Sequence, residues 1–128
     1  MYCTVTGTSP AFSSPIRFAV DTGAEATCMM DRDIARIGLK YSQMSKSPRQ
    51  LIGVGGAGPK SLLIRGVTIE FSDSDTPDHR ETLESIIAVR HPRYRLPRKK
   101  AVIEQLPSLL GVDILHKYRI RSMIAMST

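Results

Sequence analysis

Long apolar runs are missing from this sequence: nothing in it approaches the ~18–20 consecutive residues a helix needs to cross a bilayer. The opening stretch, Met1-Tyr2-Cys3-Thr4-Val5-Thr6, has neither the basic start nor the apolar segment of a secretory signal. The cytoplasm is therefore the expected compartment, and no membrane partner is expected. Cysteine is scarce, with only Cys3 and Cys28 present. A secreted disulfide scaffold of this size carries more. Two thiols far from any clustered histidine also make a poor zinc site, so no metal or other cofactor is expected. Two reduced, partly buried thiols are the expectation, and a Cys3–Cys28 disulfide is the alternative. Internal repeats and low-complexity tracts are absent.

What remains is an ordinary globular composition. The chain has 128 residues, 41% hydrophobic and 23% charged, which fits one domain over residues 1–128 and leaves little room for a second. The formal charge of +6 is unevenly spread, because residues 90–100 hold six Lys or Arg and no acid. Removing them leaves 12 basic and 12 acidic residues, a neutral remainder. That stretch, with Pro92 and Pro97 in it, reads as a solvated basic loop. A nucleic-acid contact is the less favoured alternative. His79, His91 and His116 fall on polar loops or a helix end, where solvated surface roles are expected.

The pattern along the chain is one of short strands. Tyr2–Thr6 suits a terminal strand, Ser13-Ser14-Pro15 a turn, and Ile16–Val20 a strand that ends at Asp21. Thr27–Met30 is a second short apolar run. Asp31 or Asp33 then caps a short helix through Ile34, Ala35 and Ile37, stopped by Gly38. Residues 49–71 read as a long hairpin with a glycine-rich tip. Ser72–Asp78 is a loop and Leu83–Val89 another strand. Leu109–Tyr118 suggests a strand, a glycine turn and one or two helical turns, before a last strand at Met123–Met126. The fold class is all-β with one or two short helices, closed or barrel-like.

The sharpest local feature is Phe18-Ala19-Val20-Asp21-Thr22-Gly23-Ala24. An apolar strand delivers a carboxylate, then a small hydroxyl, then a glycine that allows a tight turn. Such an arrangement can hold an acid at the floor of a cleft with its oxygens bonded to backbone amides. A plain turn closing a strand has the same look. The second feature is Leu109-Leu110-Gly111-Val112-Asp113, with Gly111 lying 111 − 23 = 88 residues beyond Gly23. Its simpler reading is a buried strand that stops at a glycine before a helix. The third is the glycine-rich hairpin between them. A phosphate-cradling loop fits it poorly, since Lys60-Ser61 leads into the apolar run Leu62-Leu63-Ile64 rather than into a helix.

In this order the three features resemble the retropepsin-like aspartic proteases, the single-domain relatives of pepsin. The matches are Asp21-Thr22-Gly23-Ala24 after an apolar strand, Leu51-Ile52-Gly53-Val54-Gly55-Gly56-Ala57-Gly58 as the flap, and Leu109–Leu115 before a short helix. Together they span about residues 13 to 126. The resemblance implies an acid-protease barrel, one lobe per chain, in a homodimer. It implies Asp21, Thr22 and Gly23 as the catalytic loop. Ala24, Glu25, Ile52, Gly53, Val54, Gly55, Gly56, Ala57 and Gly58 would lie against a peptide substrate. Family members often carry an arginine after the second glycine, pairing with an acid near the catalytic loop, and Val112 stands there instead.

Peptide hydrolysis by carboxylates needs two of them, and this chain has a single Asp-Thr-Gly. A two-fold dimer that brings Asp21 and its mate together supplies the pair. The terminal strands Tyr2–Thr6 and Met123–Met126 are, by resemblance, the expected dimer contacts. The expected function is an aspartic endopeptidase acting on extended protein segments. A catalytically silent dimerisation or peptide-binding module on the same fold is the alternative.

Overall fold

A computed structural model describes residues 1–47, 60–71, 79–91 and 97–117, with only the backbone of 97–100. The strands are β1 (Tyr2–Thr8), β2 (Ala11–Val20), β3 (Cys28–Met29), β4 (Ser45–Lys46), β5 (Lys60–Phe71), β6 (Arg80–Arg90) and β7 (Ser108–Leu110). Helix α1 covers Asp31–Ile37, a single 3-10 turn covers Tyr41–Gln43, α2 covers Pro97–Gln105, and α3 covers residues 112–117. The order β1-β2-β7-β3-β6-β5 returns to β1 through a β1–β5 pairing, so the sheet closes into a six-stranded mixed barrel. β4 is added on the side of β5. All-β with a closed barrel is thus the architecture that the alternating sequence implied.

The alternation is visible in the burial. In β1, Cys3 and Val5 point inward at 1% and 0% exposure while their neighbours face out, as a half-buried strand requires. Ile16, Phe18, Met29, Ile64, Ile69, Phe71, Ile86 and Leu110 fill the same barrel core. Both cysteines are buried free thiols, so the disulfide alternative is excluded. Cys3 belongs to the main core, whereas Cys28 joins a smaller cluster with Ile87 and Val89.

Several expectations are corrected. Ser13-Ser14-Pro15 is not a turn but the middle of β2, paired in that order with Thr6, Val5 and Thr4 of β1; the reversal sits at Ser9-Pro10. Pro15 is tolerated because β7 reaches only Phe18–Val20, so β2 has a sheet neighbour on one side at that point. Residues 60–71 form one unbroken strand, β5, which passes through Gly66 at φ 63°. That backbone conformation, and a Cβ position only 2.0 Å from Thr8 Oγ1, leave room for glycine alone.

Helix α1 has Met30 at its N-cap position with no side-chain cap, so neither Asp31 nor Asp33 caps it. Asp31 instead accepts from the Tyr41 hydroxyl and from the backbone and ring of His91. Asp33, 3% exposed, accepts from Ser108 Oγ and pairs with Arg36 at 3.5 Å, tying α1 to β7. His79 and His91 are accordingly not solvated. His79 packs edge-on against Phe71 and meets Glu81 at 3.1 Å, and His91 Nδ1 lies 2.9 Å from Asp31. The basic segment is not all loop, since Pro97 to Lys100 form the start of α2. Proline suits a first helical turn, where its missing N–H has no partner to lose.

The expected dimer strand Tyr2–Thr6 is also corrected. β1 pairs with β2 from Tyr2↔Arg17 onward and with β5 from Cys3↔Phe71 to Thr6↔Thr68. Both backbone edges of Cys3–Thr6 are therefore engaged within the chain, and no edge is left there for a partner strand. The loop Ser72–Asp78, the strand Met123–Met126 and the flap Leu51–Gly58 lie outside the described residues. On either side of the undescribed residues 48–59, Ser45 pairs with Leu63 and Lys46 with Leu62, and Ser47 N donates to Ser61 O at 3.2 Å.

Candidate active site

Strand β2 ends at Val20 and hands the chain to Asp21. Beside it runs β7 in parallel, with Phe18↔Ser108, Ala19↔Leu109 and Val20↔Leu110. This pairing sets the two sequence motifs side by side. Asp21 N donates to Leu110 O at 3.1 Å, and Val112 N donates to Ala24 O at 2.9 Å. The Asp21–Ala24 turn is thus stitched to the end of β7 at both of its ends.

Within the turn, Gly23 N donates to Asp21 Oδ1 at 2.9 Å, and Ala24 N donates to Asp21 O at 3.2 Å. One carboxylate oxygen of Asp21 is thereby fixed by a backbone amide. Asp21 is half-buried, whereas Thr22 and Gly23 are exposed. Exposed apolar side chains flank the turn, Val20 at 52% and Val112 at 39%.

Beneath the turn lies a buried polar knot that sequence reasoning missed. Thr27 is completely buried, and its backbone N and Oγ1 both donate to the Asp113 carboxylate, at 3.1 and 2.8 Å. The same hydroxyl accepts from Gly111 N at 3.1 Å, while Thr27 O accepts from Ile87 N at 3.1 Å. Asp113 Oδ1 also accepts from Ile114 N at 2.8 Å, which secures the first turn of α3. Thr27 and Asp113 together therefore join the residue before β3, the glycine after β7 and the start of α3. The available signal was an acid one residue into a helix after a glycine, together with a hydroxyl at the start of an apolar run.

Gly111 has no alternative in this packing. A Cβ there would lie 2.6 Å from the Ala26 carbonyl carbon and 2.9 Å from Ala24 O, both backbone atoms that cannot give way. At residue 112, where the resemblance led one to expect an arginine, Val112 contributes its backbone N–H to Ala24 O and leaves its side chain exposed.

Cys28 is no nucleophile. Burial, aided by the Asp113 carboxylate, pushes its thiol up to about 11, and it donates to Ala26 O at 3.3 Å. Of the expected substrate-side residues, the structure brings Ala24 and Glu25 to the turn; Ile52, Gly53, Val54, Gly55, Gly56, Ala57 and Gly58 lie outside the described residues.

Solved structures share this arrangement of strands. EIAV protease, determined with the inhibitor HBY-793, matches with a TM-score of 0.57 at 15% identity, over 92% of this chain and 85% of that one. The retroviral protease-like domain of Ddi1 from Leishmania major matches with a TM-score of 0.50 at 14% identity, over 93% of this chain and 77% of that one. The chain has a retropepsin-like fold. No protein-family model matches the sequence, and no curated protein matches it significantly. At such identities the likeness to the solved structures is one of fold. Among the described residues, no helix is long and apolar enough to cross a membrane.

Proposed function

We propose that this chain is one subunit of a homodimeric aspartic endopeptidase, in which Asp21 and its symmetry mate activate a water to hydrolyse peptide bonds in extended protein segments. The fold is that of aspartic proteases, which supports a protease of this kind. The observation that carries the reading is the half-buried Asp21 at the end of β2, with one oxygen bonded to Gly23 N and the exposed Val20, Thr22 and Val112 beside it. A carboxylate so placed is held in orientation and still open to a partner on the chain's surface.

Two carboxylates brought within contact cannot both ionise readily, so the pair shares a proton and titrates as a unit. Aspartic proteases are the standard example of this sharing. The ionised member takes a proton from water while the protonated member donates to the substrate carbonyl. A tetrahedral diol forms and collapses without a covalent intermediate. In this reading Thr22 locks the two loops across the axis, Gly23 meets substrate backbone, and the flap, Gly53 to Gly58, closes over the peptide.

The test is to incubate the protein with a denatured protein mixture, with and without a statine-type transition-state mimic, and to read the cleaved bonds by mass spectrometry. Cleavage that the mimic suppresses is expected. Asp21→Asn should fold and self-associate as the parent does, yet lose turnover by orders of magnitude. Unchanged turnover in that variant would sink the mechanism. Peptide binding without any cleavage by the parent chain would instead favour the silent module.

A further inference from the structure

Strand β6 has a full-length neighbour on one side only. It pairs with β5 from Lys60↔Arg90 to Glu70↔Arg80, while on its other side only Ile87 and Ala88 are paired, with β3. Among the described residues, positions 82–86 thus keep one backbone edge outside the sheet. A groove of about 510 Å³ runs along this stretch. It is also lined by Glu25 and Ala26, which follow the Asp21 turn, and by Asp113 and Lys117 of α3.

An open strand edge presents unpaired N–H and C=O groups in alternation, a template that an extended chain can complete. The charge at this edge differs from that of the molecule. The chain is +6 overall, yet the groove is lined by Glu25, Glu84 and Asp113 against Lys117 alone. Asp113 is occupied by Thr27 and Ile114, which leaves the exposed Glu25 and Glu84 as the carboxylates free to meet a ligand. A polyanion has no counter-charge here beyond one lysine, whereas a chain bearing Lys or Arg does.

We propose that this groove is an exosite for an extended basic peptide, which adds as a strand along residues 82–86 of β6 and sets Lys or Arg side chains against Glu25 and Glu84. Glu25, which lines the groove, follows Asp21 by four positions and Ala24 by one, so the groove has a wall in the residues next to the proposed catalytic turn. A substrate's distal segment occupies it while the scissile bond lies at Asp21. That placement rests on the peptidase reading, but peptide binding to the edge does not.

The test uses the Asp21→Asn chain and fluorescein-labelled peptides read by anisotropy. One peptide alternates Lys and Val, one alternates Glu and Val, and a third is the basic peptide N-methylated at alternate residues. The basic peptide should bind, more weakly at high salt, and the acidic one should not. Glu84→Lys should weaken binding by about threefold to fivefold, in line with an exposed charge pair. N-methylation on the pairing side should abolish it, since the ladder loses its donors. Equal binding of acidic and basic peptides, or indifference to both Glu84→Lys and N-methylation, overturns the exosite. In the chain that keeps Asp21, Glu84→Lys should lower kcat/KM for substrates with a basic extension and leave short neutral substrates unaffected. Binding without cleavage by the unmutated chain would keep the exosite and remove the peptidase; cleavage with no Glu84 dependence would do the reverse.

Discussion

Thr27 sits where a single hydroxyl answers two needs. It donates to Asp113 and accepts from Gly111 N, and no water reaches it. Thr27→Val keeps the shape but leaves the Gly111 amide and an Asp113 oxygen without that partner. An unsatisfied buried polar group costs about 1–3 kcal/mol, so the urea midpoint should fall accordingly. Because the knot also positions the Asp21 turn, kcat should fall more than KM rises. A stability loss with kinetics untouched would make the knot merely structural. Asp21 could be read from sequence because Asp-Thr-Gly after an apolar strand is a local pattern. The knot could not, since Thr27 and Asp113 lie 86 residues apart and neither is unusual in its own surroundings.

At the level of elements, α1 ends where Gly38 takes up φ 85°, with its N–H bonded to Ile34 O and Ala35 O. A Cβ at Gly38 would meet nothing within 4 Å, so Gly38→Ala isolates the backbone cost. A loss of about 1 kcal/mol, read from thermal or urea unfolding, is expected with activity unchanged. A neutral result would mean that the helix end relaxes out of the left-handed region. This stop was legible from the glycine after Ile37, as were β1, β6 and β7 from alternating or short apolar runs. The failures share a cause. Ser-Ser-Pro is a turn by composition, but β2 lies on the side of the barrel where β7 has not yet begun, so its proline costs no pairing. Arg-Lys-Lys after Pro97 is loop-like by charge, yet α2 opens there, and α2 packs beside α1. In each case a long-range neighbour decided what local propensity had called the other way.

For the whole molecule, the proposed pairing of two subunits requires a contact surface. The first strand is engaged on both edges, so association at that point would require β1 to leave its own barrel. The exposed apolar side chains Val20 and Val112, on either side of the half-buried Asp21, are the surface that remains near the proposed axis. In a two-fold contact each lies beside its counterpart or near it, so a charge introduced at one position is repeated across the axis. Val20→Glu should therefore leave the folded chain intact, because the side chain is half exposed, while setting two like charges into a closing interface. Sedimentation should show the variant as a monomer at concentrations where the parent is a dimer. Specific activity of the parent should fall on dilution along the same curve as its dimer fraction. A monomeric Val20→Glu chain with full activity per subunit would place both catalytic carboxylates within one polypeptide. This sequence has only one Asp-Thr-Gly from which to supply them.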